Sequence, residues 1–212
     1  MQHAPTPSRA RGLAGLAAAA VLAVFGVAAV VSGLDGQSTV RDALALEHVT
    51  GQPQMTPVAI AASARKAGLT GVAMPTCSVA GEPIDDGASA RCFAEYMRVD
   101  ALIATGGRTY AQMPRFASKD GIGTNVESEA VKLPNGVGMP NPARNVWITE
   151  TALSTALNTS YMAERISLFG IAVGAAFLLV GLALGAFAIA GVRVRRSVPA
   201  VARSRQPAGS VA

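Results

Sequence analysis

The chain has few of the residues on which metal and disulfide chemistry depends. Its 212 residues include two cysteines and two histidines. That is too few for a disulfide-dense scaffold or for a zinc or iron–sulfur module built from many cysteines. Charged residues make up only 15% and hydrophobic residues 50%, whereas a disordered chain has the opposite balance. The composition therefore excludes these three classes of protein.

The hydrophobic residues are concentrated in two runs without charge. Gly12–Leu34 has 23 residues and Ile166–Val192 has 27, which gives helices of about 35 Å and about 40 Å. A bilayer core needs about 20 apolar residues. We therefore predict two transmembrane helices at residues 12–34 and 166–192, joined by a helical and loop-rich domain at residues 35–165.

A cleaved signal peptide is the alternative interpretation of the first run. Arg9 and Arg11 would form its basic start, and the sequence from Val31 to Gly33 resembles a cleavage site. The apolar part of this run, Leu13–Val31, is 19 residues long. The apolar part of a signal peptide is shorter, at about 7–15 residues. The length favours a retained membrane anchor.

The distribution of charge predicts the orientation. The tails at residues 1–11 and 193–212 contain only basic charges, whereas the 131 residues between the runs contain 11 basic and 13 acidic residues. Basic segments stay on the cytoplasmic side, so we expect a multi-pass plasma-membrane protein with both termini cytoplasmic. The basic tail, beginning with Arg193, Arg195 and Arg196, is expected to contact lipid head groups rather than nucleic acid.

Both cysteines, Cys77 and Cys92, fall in the segment predicted to lie outside the cytoplasm. Disulfides form and persist in such oxidising surroundings. We therefore predict a disulfide between them, which would contribute about 3 kcal/mol by closing a loop of this size. Two unpaired buried thiols are the alternative.

Local patterns predict the helices of the middle segment. Thr56 and Pro57 are a cap and a first-turn proline for a helix ending near Lys66. Apolar residues at helical spacing predict a helix over Ser89–Ala104, and the glycine- and proline-rich stretch Ala117–Pro140 predicts an irregular loop. No helix breaker lies between Pro142 and the second span, so the span should continue outward as a long stalk helix.

Other polar residues are better explained by structure than by chemistry. His48 has no second histidine on its side of the membrane, because His3 lies in the opposite tail, and a metal site needs three or four ligands. Acidic residues can bind calcium or act in acid–base catalysis, but polar turns explain those found here as well. These acids are Glu82, Asp85, Asp86, Glu127 and Glu129. A glycosylation-like triplet begins at Asn158 on the predicted stalk, where we interpret it as chance.

Glycines recur four residues apart in the second span. Such spacing lets helices approach closely, and we predict that this span packs against the first span or a partner. Neither span contains an ionisable residue, which a proton or ion pathway normally needs. The glycines are Gly170, Gly174, Gly181 and Gly185.

Two stretches resemble a known family. They are ARCFAEYMRVDALIATGGRTYAQMPRF (Ala90–Phe116) and ARNVWITETALSTALNTSYMAERISLFGIAVG (Ala143–Gly174). These sequences resemble those of small two-span membrane proteins of actinobacteria, many of which carry the label "aromatic ring-opening dioxygenase". The resemblance implies a high-GC Gram-positive source and supplies no catalytic residue.

These patterns predict a membrane protein without enzymatic activity or a cofactor. Ring-opening dioxygenases hold non-haem iron with histidines and a carboxylate, and His48 is the only histidine of the middle segment. The leading hypothesis is an accessory or assembly subunit of the cell envelope that binds the bilayer and either another membrane protein or a second copy of itself. The alternatives are a homo-oligomeric channel or sensor, and a dioxygenase-related protein.

Overall fold

The chain is mainly helical. The computed structural model describes residues 7–196, with side-chain surroundings for residues 12–190. Within this part there are isolated β-bridges but no strand, and two compact units are formed: the paired-helix unit, described here over residues 7–32 and 170–196, and the middle unit, residues 33–169. The helices are α1 (Pro7–Leu46), α2 (Pro57–Lys66), α3 (Gly87–Ala104) and α4 (Ala143–Arg196), with 3₁₀ turns at Tyr110–Gln112 and Glu127–Glu129.

Both long helices are apolar enough to cross a membrane by length and composition, over Gly12–Leu46 and Ala143–Ala190. α1 has 40 residues and continues 12 residues beyond the charge-free run, which ends at Leu34. This extension is not apparent from the sequence, because polar residues interrupt the apolar run without breaking the helix. α1 ends at Leu46, and His48 follows in a left-handed conformation with φ +50°.

Capping side chains determine where the two short helices begin. Thr56 caps α2 and its hydroxyl accepts a hydrogen bond from the Ala59 N–H at 3.3 Å, so the predicted bounds of this helix are confirmed. α3 begins two residues before the predicted Ser89, because Asp86 is its cap. The Asp86 carboxylate accepts a hydrogen bond from the Ser89 N–H at 2.7 Å, and the Ser89 hydroxyl accepts one from the Asp86 N–H at 3.2 Å.

The segment between Met113 and Asn141 contains one 3₁₀ turn and otherwise irregular backbone. Hydrogen bonds between distant residues hold it in place: the Phe116 N–H donates to Thr124 O at 2.9 Å and the Ala117 N–H to Met139 O at 2.9 Å. These backbone hydrogen bonds do not recur at a regular interval along the chain. This explains why the sequence of the segment shows neither a helical nor a strand pattern.

The core of the middle unit surrounds α3. Tyr96 is fully buried at the centre of one cluster, with Val79, Ile84 and Val99 each about 2% exposed. A second cluster on the other side of α3 contains Ala101, Leu102, Met113 and Trp147. On the apolar face that the spacing predicts for α3, Cys92, Tyr96 and Val99 are buried and Ile103 is half-buried. The helix also buries a second face that the spacing did not indicate.

Candidate functional site

Glycines, which have no side chain, lie where the two helices of the paired-helix unit meet. A Cβ atom added to Gly174 would lie 2.7 Å from the Gly26 carbonyl oxygen, and one added to Gly26 would lie 2.8 Å from the Gly174 carbonyl oxygen. Real Cβ atoms essentially never come this close to such an atom. Backbone therefore meets backbone at this crossing, as small-residue spacing in membrane helices allows.

The four predicted span-packing glycines are not equivalent. An added Cβ would lie 3.1 Å from Ala19 O at Gly181, but 3.7 Å from Ala29 O at Gly170 and 3.6 Å from the Ala19 Cβ at Gly185. Only Gly174 and Gly181 are in tight contact with α1. Gly26 was not among the predicted packing residues, although it lies seven residues after Ala19 and so on the same helix face.

Large apolar side chains of the same unit point away from this crossing. Phe25 is 62% exposed on α1 and Phe187 is 77% exposed on α4. The unit is thus inverted relative to a water-soluble helix pair, since its small residues are inside and its aromatic residues outside. Other exposed apolar side chains of this unit are Leu13, Leu16, Val21, Val24, Val27, Val31, Phe177, Leu179, Val180, Leu182, Leu184 and Ile189.

The two cysteines form a disulfide between the segment before α3 and α3 itself. The Cys77 and Cys92 Cα atoms are 6.1 Å apart. Tyr96, one turn further along α3, donates a hydrogen bond from its hydroxyl to Cys77 O at 2.7 Å. The pKa of Tyr96 is raised because burial disfavours the charged form. The disulfide and the tyrosine therefore hold one segment against one helix, which is a structural arrangement.

Trp147 joins α4 to the end of α3. Its indole N–H donates to Arg108 O at 2.8 Å and lies 3.2 Å from the Thr105 hydroxyl oxygen, while only 3% of the residue is exposed. The guanidinium of Arg98 lies 5.5 Å from the ring centroid. This contact was not predicted, although a single tryptophan on a predicted helix indicates a residue that anchors packing.

A second polar junction lies at the start of α3. Glu164 of α4 accepts a hydrogen bond from the Gly87 N–H at 2.9 Å, and Arg41 of α1 lies 3.9 Å from the same carboxylate. Hydrogen bonding by the Ser89 N–H holds the pKa of Asp86 below its usual value. Two carboxylates thus satisfy backbone donors of the first turn of α3, where negative charge is favourable.

The remaining acidic candidates and His48 do not converge. Glu129 accepts a hydrogen bond from the Thr124 hydroxyl at 2.8 Å, and Glu127 accepts one from the Gly138 N–H at 3.3 Å. His48 is exposed at the end of α1. In the described part of the chain, no group of three or more metal-ligating side chains could hold an ion. Glu82 and Asp85 are also exposed.

A shallow groove of about 350 Å³ runs between α3 and α4. Arg98 and Glu150 line it, together with hydroxyl and amide groups of α4. Glu150 is 5% exposed and accepts a hydrogen bond from the Ser154 hydroxyl at 3.0 Å. Asn158, the first residue of the glycosylation-like triplet, is exposed in this groove, and its amide donates to Ser154 O at 2.7 Å. The groove therefore offers hydrogen-bonding groups on an open surface.

The predicted lipid-contacting arginines lie at the end of α4. The last turn of that helix contains Arg193, Arg195 and Arg196, but their side chains lie outside the described residues. The same holds for the side chains of Arg9 and Arg11, and His3 lies wholly outside. Their contact with head groups stays a prediction.

Comparison of the chain with family models, with curated proteins and with solved structures finds no match.

Proposed function

We propose that the protein is an integral membrane protein of the cell envelope whose middle unit lies outside the cytoplasm and binds a partner. The observation that carries the proposal is the exposure of apolar residues on α1 and α4. Only 11% of the most apolar window of either helix is buried, whereas the core helix of a soluble protein is mostly buried. Lipid is the solvent that makes such a surface favourable.

The orientation of the proposal comes from charge and from the cysteines. Both tails are basic and contain no acidic residue, which favours cytoplasmic termini. The disulfide in the middle unit fits an oxidising compartment. In this arrangement the middle unit is a helical, loop-rich extracytoplasmic domain, and residues 143–165 of α4 form a stalk that continues the second span.

We further propose that the protein acts by binding rather than by catalysis. Of the polar side chains that the sequence singled out, three are engaged in the fold: Asp86 caps α3, and Glu127 and Glu129 accept hydrogen bonds within their loop. His48, Glu82 and Asp85 are exposed and do not converge on a common site. The exposed surface is then the part of the middle unit available for function. This supports an accessory or assembly subunit of a larger membrane complex.

Thiol labelling tests the orientation. With Cys77 and Cys92 bonded, a cysteine introduced at Ser63, exposed on α2, should react with an impermeant maleimide in intact cells. A cysteine at Ser197, in the basic tail, should react only after the membrane is opened. The reverse pattern would contradict the orientation, and labelling of the wild-type protein without prior reduction would contradict the disulfide.

Blue-native electrophoresis after mild detergent extraction tests the partner. We expect a complex larger than the monomer, with a defined stoichiometry. A lone monomer at every detergent concentration would contradict the binding function. Metal analysis of the purified protein tests the non-enzymatic assignment, since stoichiometric iron would overturn it.

A further inference from the structure

The part of α4 in the middle unit carries its charges on packed or stacked side chains. Glu150 is 5% exposed, and the side chain of Glu164 is 13% exposed. The guanidinium of Arg144 lies 3.9 Å from the centroid of Tyr110, and that of Arg165 lies 5.0 Å from the centroid of Tyr161. Between Thr151 and Ala163 the sequence contains no charge.

The opposite face of the same helix is exposed and has no charged residue of its own, although Thr155, Thr159 and Met162 also line the groove that Arg98 and Glu150 line. Ile148, Met162 and Ile166 are 56%, 64% and 65% exposed, and Ala152, Thr155 and Thr159, which lie between them, are also exposed. These six residues, the free face of α4, follow one another at intervals of four and three residues. In this part of α4 one charged residue, Arg165, is exposed, whereas α2 and α3 expose several charged residues, as helix surfaces in water usually do. Those of α2 and α3 include Arg65, Lys66, Arg91 and Arg98.

We propose that the free face of α4 binds the free face of a second copy of this chain, so that two α4 helices pack in parallel outside the membrane. The proposal rests on the proposed function, because insertion in one orientation makes the helices of two copies parallel. A two-fold axis along the membrane normal brings each residue of the face opposite its own counterpart. An uncharged face meets itself without repulsion between like charges.

The spacing of the free face fits this geometry. Alternating intervals of four and three residues keep a stripe on the seam of a left-handed two-stranded coil. The residues beside the seam are also small or neutral through Asn158, for example Thr151 and Ala156. The side chains packed against α3, such as Trp147 and Leu157, lie on the other side of α4. A second copy therefore reaches the free face without displacing the core.

Crosslinking in membrane vesicles tests the proposal with the full chain. Cysteines are introduced singly at Thr155, at Thr159 and, as a matched control, at Ser63 on the exposed side of α2. Because Cys77 and Cys92 are bonded to each other, each introduced cysteine is the free thiol of the variant. After mild oxidation we expect a species of twice the monomer mass for T155C and T159C, at a yield at least tenfold above that of S63C.

Three results would overturn either the second-copy proposal or the proposed function. Vesicles that hold the protein but give equal dimer yields at the three positions would overturn the second-copy proposal and leave the membrane assignment intact. An adduct of a different mass at Thr155 would overturn it in favour of another protein. Protein absent from the vesicles would overturn the proposed function itself.

A charge on the free face provides an independent measurement. T155E combined with T159E should raise the dissociation constant of the dimer at least tenfold in detergent, measured by light scattering, because two pairs of like charges then meet. S63E is the control and should leave the constant unchanged. An unchanged constant for the T155E/T159E variant with native helicity would contradict the proposal.

Discussion

The two units of the chain use side chains in opposite ways. In the paired-helix unit the closest contact is made by glycines, with Gly26 and Gly174 meeting backbone to backbone, while Phe25 and Phe187 are exposed. In the middle unit the contact is made by large side chains, with Tyr96 and Trp147 at the centres of the two clusters. The difference follows the proposed surroundings of each unit.

The contrast fits the proposed arrangement, because water and lipid favour different contacts between helices. In water, burial of apolar area stabilises a fold by about 25 cal/mol per Å², so the middle unit gains by hiding aromatic rings. In lipid that gain is absent between helices, and close van der Waals packing of small residues holds them together. Mutations that change side-chain size should therefore act differently in the two units. Truncation should destabilise the middle unit, and enlargement should destabilise the paired-helix unit.

The largest expected effect is truncation of a large residue in the middle unit. Trp147→Ala should lower the free energy of unfolding by about 4 kcal/mol, because it removes a buried ring and leaves a cavity. Urea-dependent proteolysis of the full chain in detergent measures this. Leu153→Ala, at a position 47% exposed on the same helix, is the control and should change the value by less than about 0.5 kcal/mol. Equal losses would remove the distinction between core and surface of α4.

Opening the disulfide should have the next largest effect. Replacing Cys77 and Cys92 together by alanine is expected to cost about 3 kcal/mol, as for a closed loop of this size. The same proteolysis assay, with the wild-type protein under reducing conditions as a parallel sample, measures the loss. Stability that does not respond to either change would show that Tyr96 alone holds this segment against α3.

Enlargement tests the paired-helix unit. Gly174→Ala should weaken the pairing of the two helices by about 2 kcal/mol, as expected for overpacking, because its Cβ would meet Gly26 O at 2.7 Å. Gly170→Ala is the matched control, since its Cβ would lie at ordinary contact distance. Cysteines at Gly15 and Ala188, whose Cβ atoms would be about 3.4 Å apart, report the pairing through disulfide yield in increasing denaturing detergent. Similar yields for both alanine variants would contradict the assignment of the tight crossing.

The smallest expected effect concerns a helix cap. Asp86→Ala should lower the free energy of unfolding by about 1 kcal/mol at neutral pH. The folded-state pKa of Asp86 is lowered, so its contribution is present above an unfolded pKa of about 3.9 and is lost as the pH falls through the folded pKa. The difference between wild type and variant should therefore shrink in acid. Asp85→Ala, an exposed neighbour, is the control, and a difference that grows in acid would contradict the cap.

Patterns that depend on neighbours in the chain were predictable. The cap at Thr56, the end of α2 at Lys66 and the long helix through the second run all follow from local propensity and from the absence of breakers. The start of α3 was missed by two residues, because an acidic cluster can be a turn or a cap and only hydrogen-bond geometry distinguishes the two. The extension of α1 to Leu46 was missed because polar residues hide a helix from a search for apolar runs.

Contacts between distant residues were not predictable in detail. The sequence presents Gly170 and Gly174 as one motif, but a Cβ atom at Gly174 would come closer to the α1 backbone than contact distance, whereas one at Gly170 would not. It presents Glu164 as one of many acids, although this residue meets the first turn of α3, 77 residues away in the chain. Such pairings depend on how helices are placed against each other, and no local pattern records that placement.

The sequence by itself determined the number of long apolar helices, the asymmetry of charge and the pair of cysteines available for bonding. These are properties of composition and order along the chain, and they act through solvent and local backbone energetics. Only the tertiary structure decided that most charges of the part of α4 in the middle unit are packed or stacked against the fold, while the opposite face of that helix is exposed. That division depends on which side of the helix meets α3, and packing of Trp147 and Leu157 in the core decides it.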